Sequence, residues 1–203
     1  IPSSTYAFLK RLDADVYIAR TSGTYFCTPK WSGKIRPGRT YMDIYKLISR
    51  EDLTILSPEE IEVAVKNALL FDAYREQEQT LVKYKGCDNV EGLENVLYIC
   101  PHCKKEFTIK VKNKSTLYCT ECGFEHTSDK YGFLHNSGKV GEEIRSISDW
   151  SRFINDEVGR AIQNGIITDI SADATIQTIN IQKKKYVDVG RAKITLNNKK
   201  FII

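Results

Sequence analysis

The sequence predicts an α+β protein in three parts: a partial α/β body over residues 1–86, a four-cysteine zinc ribbon over 87–134, and a helix with a small antiparallel sheet over 135–203. Three observations carry this. Cys100-x-x-Cys103 and Cys119-x-x-Cys122 stand 15 residues apart, the spacing of two metal knuckles on neighbouring hairpins. Ser57-Pro58-Glu59-Glu60 opens a run of apolar residues at helical period. Beyond Gly165 the apolar period falls to two, which is the pattern of strands.

In chain order, Ser3-Ser4 caps a short helix over residues 5–12, with Ala7 or Phe8, Leu9 and Leu12 on its apolar side. Asp13-Ala14-Asp15 ends it. Residues 16–20 predict a strand, and 24–27 are expected to continue as extended structure past Ser22-Gly23. A helix feeding a buried strand is half of an α/β unit, and the other half is expected upstream of Ile1. Residues 28–39 form a Pro- and Gly-rich loop carrying Lys30, Lys34, Arg36 and Arg39. Glycines permit close backbone approach and the cations supply charge, so phosphate or another anion is the natural ligand, and these four residues are the candidates for a substrate phosphate. The alternative is a solvated loop with Trp31 tucked against the body. Residues 40–48 alternate as a strand.

The capping box at Ser57, with proline at the first helical position, starts a helix expected to run to about Gln79. Ile61, Val65, Ala68, Leu69 and Phe71 or Asp72 line its packed face, while Glu62, Lys66, Glu76 and Glu78 stay in water without a catalytic role. Residues 83–88 link it to the ribbon. A C-x-x-C turn lets two thiolates converge on one ion, and a second such turn completes a closed S₄ site with no position left for a substrate. Cys100, Cys103, Cys119 and Cys122 are therefore the expected ligands of a structural Zn²⁺; two disulfides or four buried free thiols are the competing readings. Residues 104–112 alternate as a strand, Asn113-Lys114-Ser115 turns, and 116–118 return. Gly123 supplies the positive φ a knuckle needs. His102 and His126 are expected at the surface rather than on the metal.

Residues 130–134 are expected as the closing strand and 135–139 as a loop. Ser148 is expected to cap a helix with Trp150, Phe153, Ile154, Val158, Ala161 and Ile162 on one face, ending near Asn164-Gly165. Strands follow around Ile176, Ile179 and Ile181, around Tyr186-Val187, and around Ile194-Thr195-Leu196. Lys183-Lys184-Lys185 is either a solvated turn or a basic tip able to touch anionic lipid.

At 203 residues, 41% hydrophobic and 28% charged, the composition excludes a disordered chain. No run approaches the roughly 18 apolar residues of a spanning helix, and no basic-then-apolar leader occurs. Six cysteines, with Cys27 and Cys87 outside the knuckles, fit a reducing compartment, so the expected location is cytoplasmic, including the inner face of the membrane. The net charge of +4 hides an asymmetry. Residues 1–50 carry nine Lys or Arg against three Asp, and residues 51–95 carry eleven acids against four bases. That division suits a localised anion site followed by an acidic, solvated helix better than one uniform nucleic-acid face.

The blocks Ser4-Thr5-Tyr6-Ala7-Phe8-Leu9-Lys10-Arg11-Leu12, Ile18-Ala19-Arg20-Thr21-Ser22-Gly23-Thr24-Tyr25 and Pro29-Lys30-Trp31 resemble the half of a bacterial phospholipid/glycerol acyltransferase (1-acylglycerol-3-phosphate acyltransferase-like) that follows its catalytic blocks. Leu56-Ser57-Pro58-Glu59-Glu60-Ile61 through Phe71-Asp72-Ala73-Tyr74 looks like that family's helical extension. Glu91-Gly92-Leu93-Glu94-Asn95-Val96-Leu97-Tyr98-Ile99-Cys100-Pro101 resembles the approach to a zinc ribbon appended in some members. The resemblance covers about residues 4–155. It implies transfer of an acyl chain from a thioester donor to a lysophospholipid such as lysophosphatidic acid, in phospholipid synthesis, with peripheral membrane contact.

The family's chemistry uses a His-x-x-x-x-Asp block and a Pro-Glu-Gly block for the acceptor phosphate, and neither occurs here. The proline common in the strand matching residues 16–19 is also absent. No catalytic residue is assigned, and the chain alone is expected to be inactive. Both ends, Ile1-Pro2 and Phe201-Ile202-Ile203, are expected to be internal positions of a longer protein. The rival reading is a zinc-ribbon module that binds nucleic acid through Tyr118 and Phe124, or one that only holds a protein partner. Against nucleic acid, residues 96–134 set four acids against six lysines.

Overall fold

The computed structural model describes residues 2–136, 144–166, 169–197 and 201–202. The chain divides into two compact units, Ile1–Ser151 and Arg152–Ile203, and all strand pairs among the described residues are antiparallel, as the α+β class requires.

In the first unit, α1 (Ser3–Leu9), β1 (Val16–Ser22), β2 (Tyr41–Ile48), α3 (Arg50–Ile55) and α4 (Pro58–Leu69) share one core. Tyr6, Ile48, Leu53, Ile61 and Val65 are buried together, with Leu9, Val16, Leu47, Leu56 and Ala64 packed against them. Asp15 fixes the corner, accepting from the Arg50 amide at 2.8 Å and pairing with Lys46 at 2.6 Å. The β1–β2 ribbon pairs Ile18 with Tyr45 and Ala19 with Ile44. By strand alternation, Ile18 and Ser22 point to the buried side, and Tyr17, Ala19, Met42 and Ile44 form an exposed, largely apolar outer face.

Residues 24–27 form a single helical turn, α2 (Thr24–Cys27), not the expected extended structure. Gly23 redirects the chain with φ 78°, and a Cβ there would lie 2.3 Å from the Arg39 carbonyl oxygen. The turn drives Phe26 into an aromatic cluster, stacked on Tyr84 at 5.1 Å and edge-on to Tyr74 at 5.2 Å. The long helix expected over 57–79 is two helices. The capping box at Ser57 is present, but the chain leaves α4 at Leu70 and restarts as α5 (Ala73–Thr80) because Asp72 caps it, accepting from the Tyr74 amide at 2.9 Å.

The ribbon strands β3 (Ile109–Lys112), β4 (Thr116–Cys119), β5 (Glu125–Ser128) and β6 (Leu134–Asn136) form one sheet in that order. The closing strand starts later than expected. Asp129 accepts from the Tyr131 and Phe133 amides and holds residues 129–133 as a turn. His135 and Asn136 therefore lie in β6 rather than in a loop, and residues 137–139 of that loop lie outside the described residues. Helix α6 (Ile147–Gln163) is capped by Ser146, whose Oγ accepts from the Asp149 amide at 3.0 Å, so the expected cap Ser148 sits inside the first turn. Trp150, Phe153 and Ile154 are buried as expected, whereas Ile162 is exposed.

The second unit holds β7 (Asp169–Asn180), β8 (Lys185–Asn197) and β9 (Phe201–Ile202) as one sheet. Ile176 pairs with Gly190 and Gln177 with Asp188, so Val189 is an extra residue bulged out of the ladder. Among the described residues, no helix is long and apolar enough to cross a membrane.

Candidate metal centre

Two knuckles with matching backbones build the centre. The Cys100 amide donates to the Lys105 carbonyl and the Lys104 amide to the Cys100 carbonyl; the Cys119 amide donates to the Phe124 carbonyl and the Gly123 amide to the Cys119 carbonyl. Each fifth residue of the turn is left-handed, Lys104 at φ 60° and Gly123 at φ 67°. Gly123 was legible from its residue type. Lys104 was not, although it occupies the equivalent position.

The repeat delivers Cys100, Cys103, Cys119 and Cys122 to one point, all four sulfurs lying within 4.8 Å of one another. Cys100 Sγ is 3.7 Å from Cys122 Sγ, and Cys103 Sγ is 3.7 Å from Cys119 Sγ. A disulfide requires about 2.05 Å, and all six cysteines are free thiols. A tetrahedron with metal–sulfur bonds of about 2.3 Å has edges of about 3.8 Å, so this cluster has the dimensions to hold one metal ion. Burial pushes the Cys100 thiol up. Burial acts the same way on Cys119, but hydrogen bonds with the Thr108 hydroxyl and with the knuckle amides of Cys122 and Glu121 outweigh it and pull that thiol down to about 6. Thr108 lies 3.2 Å from Cys119 Sγ, a supporting contact the cysteine spacing does not reveal.

Neither histidine belongs to the sulfur cluster, yet His126 is not the surface residue expected. It is 0% exposed, edge-on to Phe124 at 4.6 Å and 4.9 Å from Trp150, with no hydrogen-bond partner on either ring nitrogen. Alternation on β5 turns it inward, and burial lowers it to about 4, so it is neutral. Exposed His102 stacks on Phe124. Trp150 closes the region by donating its indole N–H to the Ile99 carbonyl at 2.8 Å.

The four cations proposed for a phosphate have separate surroundings. Arg36 is 5% exposed, stacked 4.5 Å over Trp31 and donating to the Asn89 carbonyl at 2.7 Å, so its guanidinium braces the loop instead of facing solvent. The cavity beside it, about 10 Å³, has no room for a phosphate. Lys34 pairs with Glu91 at 3.7 Å, Arg39 lies 6.0 Å over the Tyr41 ring, and Lys30 is exposed. His135 meets Asp129 at 2.8 Å, six residues away across the turn before β6. The pair sits in an open groove with Glu78, Leu81, Tyr131, Phe133 and Arg145, and among the described residues no Ser, Thr or Cys lines it.

No protein-family model, no curated protein and no solved structure matches this chain.

Proposed function

We propose that this chain is the C-terminal part of an acyltransferase that moves an acyl chain from a thioester donor to a lysophospholipid such as lysophosphatidic acid, with a structural zinc ion on Cys100, Cys103, Cys119 and Cys122. The observation that carries the reading is the outer face of the β1–β2 ribbon. Tyr17, Ala19, Met42 and Ile44 stand in water on one side, while on the other the core of Tyr6, Leu53, Ile61 and Val65 covers the Ile48 end of the ribbon. In this reading the open apolar face is covered by the rest of a larger layered body, and the ordered blocks from Ser4 to Tyr74 resemble the acyltransferase half that would lie there. Zinc is favoured at the four sulfurs because an all-thiolate tetrahedral site with no open position suits a structural ion.

In this reading the acid–base machinery for the transfer lies outside residues 1–203, and the His135–Asp129 pair takes no part in it. Acyl transfer to a hydroxyl needs a base within reach of the nucleophile and donors for the developing oxyanion, and both are assigned to a His-x-x-x-x-Asp block upstream. The nucleic-acid alternative loses ground: Phe124 is buried, and Lys105 and Lys112 are paired with Glu121 and Glu125.

Incubation with an acyl thioester and lysophosphatidic acid, following thiol release, tests the reading. Turnover is expected only from a longer chain that includes upstream sequence. Turnover by residues 1–203 alone, abolished by His135→Ala, overturns it, and so does an upstream sequence without the His-x-x-x-x-Asp block.

A further inference from the structure

The β7–β8 hairpin ends in a turn whose composition differs from the rest of its sheet. Asn180 Oδ1 accepts from the Lys183 amide at 2.9 Å and Lys184 takes a left-handed φ of 49°, so the turn is held in one shape by its own residues. That shape presents Lys183, Lys184 and Lys185 to solvent beside Ile181, which is 85% exposed, and Tyr186, which is 69% exposed. Ile179 pairs across the ladder with Tyr186, and Val187 with Thr178, so both faces of the tip carry apolar side chains in water. Between Asp173 and Asp188 there is no acidic residue, and Asp188 accepts from Gln177 Nε2 at 2.7 Å. Exposed isoleucine, valine and tyrosine interleaved with unopposed lysines make poor folding chemistry for a surface turn. They are the chemistry of the water–lipid boundary, where aromatic rings sit at headgroup level and lysines meet lipid phosphates.

We propose that this tip, residues 178–189, is a docking surface for an anionic lipid bilayer, with Ile181, Ile179, Tyr186 and Val187 in the headgroup region and Lys183, Lys184 and Lys185 on lipid phosphates. Among the described residues only β7 and β8 pair at the tip, which leaves the outer edges of both strands with amides and carbonyls that hydrocarbon would not satisfy. The tip therefore enters the interface and goes no deeper. The inference goes beyond the acyl-transfer reading and does not depend on it.

Flotation of the whole chain with vesicles of phosphatidylcholine, with and without phosphatidylglycerol, tests this. Binding is expected to the anionic vesicles and to fall as salt rises. The combined change Lys183→Glu, Lys184→Glu and Lys185→Glu is expected to weaken it on the order of a hundredfold, from roughly fivefold per lysine. Lys193→Glu, a charge reversal on the same strand away from the tip, is expected to have little effect. Ile181→Asp is expected to weaken binding without altering the far-ultraviolet circular dichroism, and a polarity-sensitive dye on Ile181→Cys to shift to the blue on anionic vesicles only. Equal binding to both vesicles, or full binding by either the lysine or the Ile181→Asp variant, overturns the proposal. So does a single-stranded oligonucleotide that binds more tightly than the vesicles through the same lysines, or a dimer in solution dispersed by Ile181→Asp.

Discussion

Lys104 and Gly123 adopt the same left-handed backbone at matching places in the two knuckles, but only glycine enters that region freely. Gly123→Ala is therefore expected to destabilise the ribbon by about 1–2 kcal/mol, whereas Lys104→Gly should be neutral or stabilising; thermal melts of the metal-loaded protein measure both, and equal effects would remove the account. His126 is the other residue whose setting decides its behaviour. Its imidazole titrates near 6.5 in the unfolded chain and about 4 in the folded one, so the unfolded chain takes up the proton first as pH drops. Its contribution is fully present above pH 6.5 and is lost as pH falls towards 4, on the order of 3 kcal/mol in all. His126→Phe should flatten that part of the stability profile relative to the parent, and protonation of the metal sulfurs, common to both proteins, cancels in the difference. An unchanged slope would show that the ring is solvated. None of this was legible in the sequence, where a histidine four residues past a knuckle looks like any surface residue until β5 fixes which way it points.

The ribbon strands β3, β4 and β5 are only four residues each, so the metal rather than the sheet is expected to hold them. A structural zinc ion contributes on the order of 10 kcal/mol to folding in comparable small domains. Cys119→Ser, or a strong chelator, should let amides across residues 96–134 exchange with solvent while α4 stays protected, and hydrogen exchange followed by mass spectrometry separates the two; retained protection in β3 and β4 would mean the fold does not need the ion. The same elements show which sequence signals survive folding. Knuckle spacing and the hairpin turn at Asn113-Lys114, both left-handed, were legible because local chemistry decides them. The break after Leu70 was not, because Asp72 looks like a helical residue until its carboxylate is seen holding two amides. Ser148 lost the cap to Ser146 by the same kind of local competition, two residues apart.

At the scale of the whole molecule, counting charges along the chain misled more than periodicity did. Several cations of the first fifty residues are engaged within the fold: Lys46 with Asp15, Arg50 with Asp13, Arg20 with Asp43, while Arg36 is buried on Trp31. Strand register joins Arg20 to Asp43, the corner before β1 joins Asp13 and Asp15 to Arg50 and Lys46, and neither is visible in a tally. The fold class was legible because helical and alternating periods are properties of single segments; the role of the basic loop was not, because it depends on Asn89, which lies 53 positions from Arg36. The burial of Trp150 against Ile99 and His126 has a consequence of another kind. The chain has two tryptophans, and the other, Trp31, lies under a guanidinium in the aromatic cluster around Phe26. The two indoles are thus separate optical reporters: with Trp31→Phe, the remaining emission comes from the ribbon alone, and its colour and lifetime follow the metal centre without interference from the body.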